Sequence, residues 1–69
     1  MKLKYYVNNE AQSNGDHEVH IESCPYFPRM KNKRYLGEYD SCVEAVRAAK
    51  YIHHQANGCK TCCSLCHTT

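Results

Sequence analysis

Four of the chain's six cysteines fall within eight residues, in the stretch Gly58-Cys59-Lys60-Thr61-Cys62-Cys63-Ser64-Leu65-Cys66-His67. They form two interlocked Cys-x2-Cys pairs, Cys59/Cys62 and Cys63/Cys66. A Cys-x2-Cys turn points both sulfurs at one tetrahedral ion, which is why this spacing recurs in structural zinc sites. One turn supplies two ligands, and a closed tetrahedral site needs four. The stretch His20-Ile21-Glu22-Ser23-Cys24 offers the other two. Spacing therefore proposes His20-x3-Cys24 and Cys59-x2-Cys62 as one zinc site, closed and structural rather than catalytic. Cys63, Cys66 or His67 could complete the site in place of His20.

The need for such a site follows from size. A chain of 69 residues makes one domain, spanning 1–69, and buries only a small core. There is one Phe, no Trp, and six Tyr whose hydroxyls must each reach water or a partner. A core of that kind needs a metal, disulfides or oligomerisation. No signal peptide is visible at Met1-Lys2-Leu3-Lys4-Tyr5-Tyr6-Val7, and no segment is apolar enough to span a membrane. The expected compartment is the reducing cytoplasm, where cysteines serve as metal ligands or thiols.

Taken in order, the pattern predicts an α+β chain: a small three-stranded antiparallel sheet, one helix and a Cys-rich C-terminal zinc turn. Residues 2–8 alternate as a strand, with Leu3, Tyr5 and Val7 on one face. Asn14-Gly15 favours a turn. Residues 17–22 form the second strand, with Val19 and Ile21 on the face shared by His17. Glu18, His20 and Glu22 lie on the other face, where one of the two glutamates can orient the second ring nitrogen of His20. Pro25 ends that strand. Residues 34–39 form the third, with Tyr35, Gly37 and Tyr39 on one face, Leu36 and Glu38 on the other, and Gly37 marking a bulge or close approach. Ser41-Cys42-Val43-Glu44 reads as a capping box. Cys42, Ala45, Val46, Ala49, Ile52, His53 and Ala56 then form one buried stripe of a helix, with Gly58 as its left-handed cap. Cys42 reads as a small core residue. His53 and His54 read as cations near the helix C-terminus.

This order of parts resembles the metal-binding domain of Ada-type proteins, and more closely the small bacterial domains that share its pattern. The resemblance rests on His20-x3-Cys24, the strand around Leu36, the helix with Glu44-Ala45, and Gly58-Cys59-Lys60-Thr61-Cys62, over roughly residues 17–62. It implies a small sheet with a helix and one zinc ion held by His20, Cys24, Cys59 and Cys62. Ada's own domain uses four cysteines, the first of which accepts a methyl group from a DNA phosphotriester. A histidine, His20, stands at that position here, so the activity is not carried over. The second pair, Cys63 and Cys66 with His67, departs from the family pattern.

Function is less constrained. The formal charge of +2 is too mild to argue for a polyanion partner by itself. A local group, Arg29, Lys31, Lys33 and Arg34, lies among Tyr26, Phe27 and Tyr35, a composition suited to a phosphate backbone and stacked bases. Its bland counterpart is a solvated loop. No nucleophile–base set, phosphate loop or acid/base carboxylate pair is present, so the chain is not expected to be an enzyme or to take a small-molecule substrate. The expected role is a zinc-binding module that contacts nucleic acid or a protein. The alternative is a thiol, redox or soft-metal protein using Cys63, Cys66 and His67.

Overall fold

The computed structural model describes residues 1–68. Three of its four strands lie where alternation places them: β1 (Leu3–Asn8), β2 (His17–Ile21) and β3 (Lys33–Tyr39). β1 pairs antiparallel with β2, Tyr5 opposite Ile21 and Val7 opposite Val19. The hairpin loop is wide. Gly15 takes a positive φ of 93°, while Asn14 does not, so the turn is not the two-residue type in which both positions do.

β3 lies on the other side of β1, and the two slip register between Tyr5, opposite Gly37, and Tyr6, opposite Tyr35. Leu36 is the extra residue of a bulge, and Gly37 carries a φ of 129°. The bulge changes the faces expected for this strand. Tyr35 meets Tyr6 at 5.1 Å between ring centroids, while Tyr39 packs against Tyr5 at 6.2 Å on the opposite face.

Helix α1 (Cys42–Lys50) is shorter than its stripe of small residues suggests. Ser41 is its N-cap, in extended conformation, but the reciprocal capping box does not close: the Ser41 side chain makes no cap hydrogen bond. After Lys50 the chain turns. Instead of continuing the helix, Ala56–Gly58 form β4, which pairs parallel to β2 with His17 opposite Ala56 and Val19 opposite Gly58. The physical reason is competition for the free edge of β2. His17 N–H donates to Gln55 O at 2.9 Å, and Cys59 N–H to Val19 O at 3.0 Å. Asn57 and Gly58 lose little by leaving a helix they disfavour. Gly58 is consequently a strand residue, not a left-handed cap, and the sheet is four-stranded and mixed, in order β3-β1-β2-β4.

Since β3 and β2 both run antiparallel to β1, and β4 runs with β2, α1 is the crossover that parallel strands β3 and β4 require. It covers the face bearing Tyr5, Val7 and Val19, where Ala45, Val46 and Ala49 complete a core with Cys24, Ala56, Cys59 and Cys63. His53 lies beyond the helix rather than in its last turn. Its ring stacks on His17 at 3.9 Å, and its Nε2 bonds Asn9 Oδ1 at 2.7 Å. Among the described residues no helix is long and apolar enough to cross a membrane.

Gly58 is fixed by packing. A Cβ there would meet the Cβ of Cys66 at 2.8 Å and the carbonyl oxygen of Cys63 at 2.9 Å. Gly58→Ala is expected to lower unfolding stability by about 1–3 kcal/mol, the usual cost of overpacking. Equilibrium denaturation checks this, and a change within experimental error would contradict the tight return of the C-terminal turn over β4.

Candidate metal centre

The parallel pairing sends β2 and β4 out of the sheet at the same end. His20 is on the last turn of the pleat in β2, facing away from Val19, and Cys24 follows the strand by three residues. Cys59 follows β4 directly, and the Cys59–Cys62 turn folds back over the end of β2. One backbone amide from the turn and one from β2 point at its sulfurs: Thr61 N–H donates to Cys59 Sγ at 3.4 Å, and Ile21 N–H to Cys62 Sγ at 3.4 Å. Donors of this kind favour the thiolate form that a metal needs.

The four side chains converge. His20 Nδ1 is 3.5 Å from Cys24 Sγ and 3.9 Å from Cys62 Sγ, and Cys24 Sγ is 3.9 Å from Cys59 Sγ. All four ligand atoms lie within 4.8 Å of one another, and the set could hold a metal ion. A tetrahedral ion with ordinary sulfur and nitrogen bond lengths has edges of roughly 3.5–3.8 Å, so these separations suit one ion at the centre. His20, Cys24 and Cys59 are each only 3% exposed, and Cys62 is partly exposed.

The histidine tautomer follows from its neighbour. Glu18 Oε1 lies 3.2 Å from His20 Nε2 and accepts a hydrogen bond from its N–H, leaving the Nδ1 lone pair directed at the sulfurs. Of the two glutamates that flank His20 in sequence, Glu18 is the one that orients the ring. Glu22 instead accepts from the Tyr6 hydroxyl at 3.4 Å. Burial pushes the Cys59 thiol up to about 11 and raises Cys24 as well. The Cys62 thiol is also pushed up to about 11, first by its hydrogen bond with Cys63 and then by burial. These thiols stay protonated at neutral pH unless a cation compensates the charge.

No family model, curated protein or solved structure matches the chain.

The second cysteine pair does not come together. Cys66 forms a disulfide with Cys42, with Cα atoms 6.3 Å apart. Cys42 is thus a covalent tie between the start of α1 and the C-terminal turn, not merely a core residue, and Cys66 in this state is not a thiolate ligand. Spacing could not reveal this partner, because connectivity does not follow from cysteine positions alone. Cys63 is a buried free thiol whose sulfur lies 3.8 Å from that of Cys62, beside the four-residue set and not part of it. His67 Nδ1 bonds Gly58 O at 2.9 Å.

The basic group supplies no atom to the four-residue metal set. Arg29 sits over the Tyr26 ring at 5.0 Å, and Lys33 over Phe27 at 5.1 Å. Lys31 and Arg34 are exposed without ion pairs among the described residues. Arg29 also borders a cleft of about 380 Å³ that reaches His20, Cys59 and Lys60.

Two outcomes follow. Glu18→Gln is expected to weaken metal binding about 10–100-fold in competition with a chelator, with Glu22→Gln close to wild type. Equal effects would contradict the assignment of Glu18. Loading a divalent ion at pH 7 should release about three protons, one from each ligating thiol, so that affinity climbs as pH rises. Calorimetry in buffers of different ionisation enthalpy measures the count, and a release near zero would mean the thiols are not the ligands.

Proposed function

We propose that this protein is a structural zinc module that acts by binding rather than by catalysis. The observation that carries the reading is the convergence of His20 Nδ1 with the sulfurs of Cys24, Cys59 and Cys62, all within 4.8 Å of one another. Three thiolates and an imidazole suit zinc, and four protein ligands leave no open position for chemistry. When bound, the ion would neutralise the buried thiolates and tie the end of β2 to the segment after β4. The similarity of the His-x3-Cys and Cys-x2-Cys spacings to Ada-type domains favours the same assignment. A cytoplasmic setting fits, because its reducing poise keeps the ligands as thiols. The Cys42–Cys66 bond pulls the other way, and its state in acid-quenched cells decides between them.

Native mass spectrometry of the protein, before and after chelator and alongside circular dichroism, tests the zinc reading. One zinc per chain is expected, with loss of fold on stripping. Cys24→Ser and Cys59→Ser should lose the ion, and Cys63→Ser should keep it. Two or more ions per chain would favour the soft-metal alternative, to which the free thiol of Cys63 beside Cys62 lends its one specific support.

For the partner, the basic group favours nucleic acid. Arg29, Lys31, Lys33 and Arg34 are all exposed, as are the rings of Tyr26 and Tyr35. Single-stranded DNA is the probe. Binding should weaken steeply with salt, and Lys31→Ala or Arg34→Ala should each reduce the salt slope by about 1. No binding at low salt would overturn this part of the reading while leaving the zinc site standing.

A further inference from the structure

The C-terminal turn exposes its one leucine. Leu65, in the short turn Ser64–Cys66, is 95% exposed, and Val43 on the first turn of α1 is 54% exposed. In a chain with so few large apolar residues, two aliphatic side chains left in water beside each other call for an explanation. They border one groove of about 400 Å³ between α1 and the turn, lined by Val43, Val46, Arg47, Lys50, Leu65 and Cys66. The metal set contributes nothing to it.

The turn is held in place. The Cys42–Cys66 disulfide ties it to the start of α1. Independently of that bond, Cys66 N–H donates to Cys63 O at 2.9 Å and His67 Nδ1 bonds Gly58 O at 2.9 Å. Leu65 is therefore presented by an anchored turn, not carried on a loose tail.

Charge selects the occupant. Among the described residues, Arg47 and Lys50 line the groove, no carboxylate does, and neither cation makes an ion pair. We propose that this groove is a docking site for a short peptide segment of another protein, carrying a bulky apolar side chain next to aspartate or glutamate. The apolar part would cover Val43, Val46 and Leu65, and the carboxylate would meet Arg47 and Lys50. The volume is that of a small ligand pocket, enough for one or two side chains. A second copy of the chain is disfavoured, because a two-fold contact would bring both pairs of cations together. Nucleic acid makes poor use of the site, which offers cations but no aromatic ring for a base to stack on. The site is separate from the basic loop, and the proposal stands whether or not that loop binds nucleic acid.

A random dodecapeptide library, panned against the metal-loaded protein, tests this. Enriched peptides should place Leu, Ile, Phe or Trp beside Asp or Glu. Titrated into isotope-labelled protein, they should shift the amide resonances of Val43, Val46 and Leu65. Leu65→Ala should weaken binding at least tenfold. Arg47→Glu with Lys50→Glu should do the same and turn the preference toward basic peptides. All three residues are exposed, so circular dichroism and metal content should be unchanged. Failure to enrich, enrichment of basic peptides, or shifts confined to another face would overturn the proposal. So would dimerisation through Leu65, or binding to anionic phospholipid vesicles in the absence of any peptide.

Discussion

The parallel contact between β2 and β4 is the interaction on which the rest of the structure depends. It is short, three residue pairs with a hydrogen bond at each end from His17 to Gln55 and from Cys59 to Val19. Yet it decides where the chemistry lies. Two strands that run the same way leave the sheet at the same end, so the histidine and cysteine at the end of β2 meet the cysteines that follow β4. Had the last segment paired antiparallel, the two ligand pairs would sit at opposite ends of the sheet. The crossover through α1 is what permits the parallel arrangement, and the small residues Ala45 and Ala49 let that helix lie close on Tyr5, Val7 and Val19.

The core explains why such a short contact needs help. Apart from Tyr5, Met30 and the valines, its buried apolar members are alanines and cysteines, which contribute little area. Two ties act on the same C-terminal segment. The four-ligand set joins it to the end of β2, and the Cys42–Cys66 bond joins it to α1. A disulfide closing a loop of this length typically stabilises by about 2–4 kcal/mol. Gly58 lies where the segment folds back, with no room for a side chain. This explains how a tail rich in thiols becomes a fixed surface with an exposed leucine.

Much of this was legible in the residues, and what was not has identifiable causes. Alternation placed β1, β2 and β3 to within a residue or so, and Gly37 marked the bulge. The spacing of His20, Cys24, Cys59 and Cys62 points to one site, and their ligand atoms do converge, with Glu18 as the orienting partner. The bulge itself then hid the faces of β3, because one extra residue moves Tyr35 to the side opposite Tyr39. The fourth strand was concealed by Ile52, His53 and Ala56, which continue a helical spacing that the free edge of β2 overrides. Ala-Asn-Gly has no strand character of its own, so only the tertiary contact reveals it. The disulfide was hidden because Cys42 also satisfies the helix stripe.

The most direct test of the account is X-ray absorption at the metal edge of zinc-loaded protein. A single shell of three sulfurs at about 2.3 Å and one nitrogen at about 2.0–2.1 Å is expected, with no metal–metal vector. Four sulfurs would mean that Cys63 displaces His20, and a metal–metal distance would mean a cluster. Either result would contradict a site formed by the meeting of His20 and Cys24 with Cys59 and Cys62.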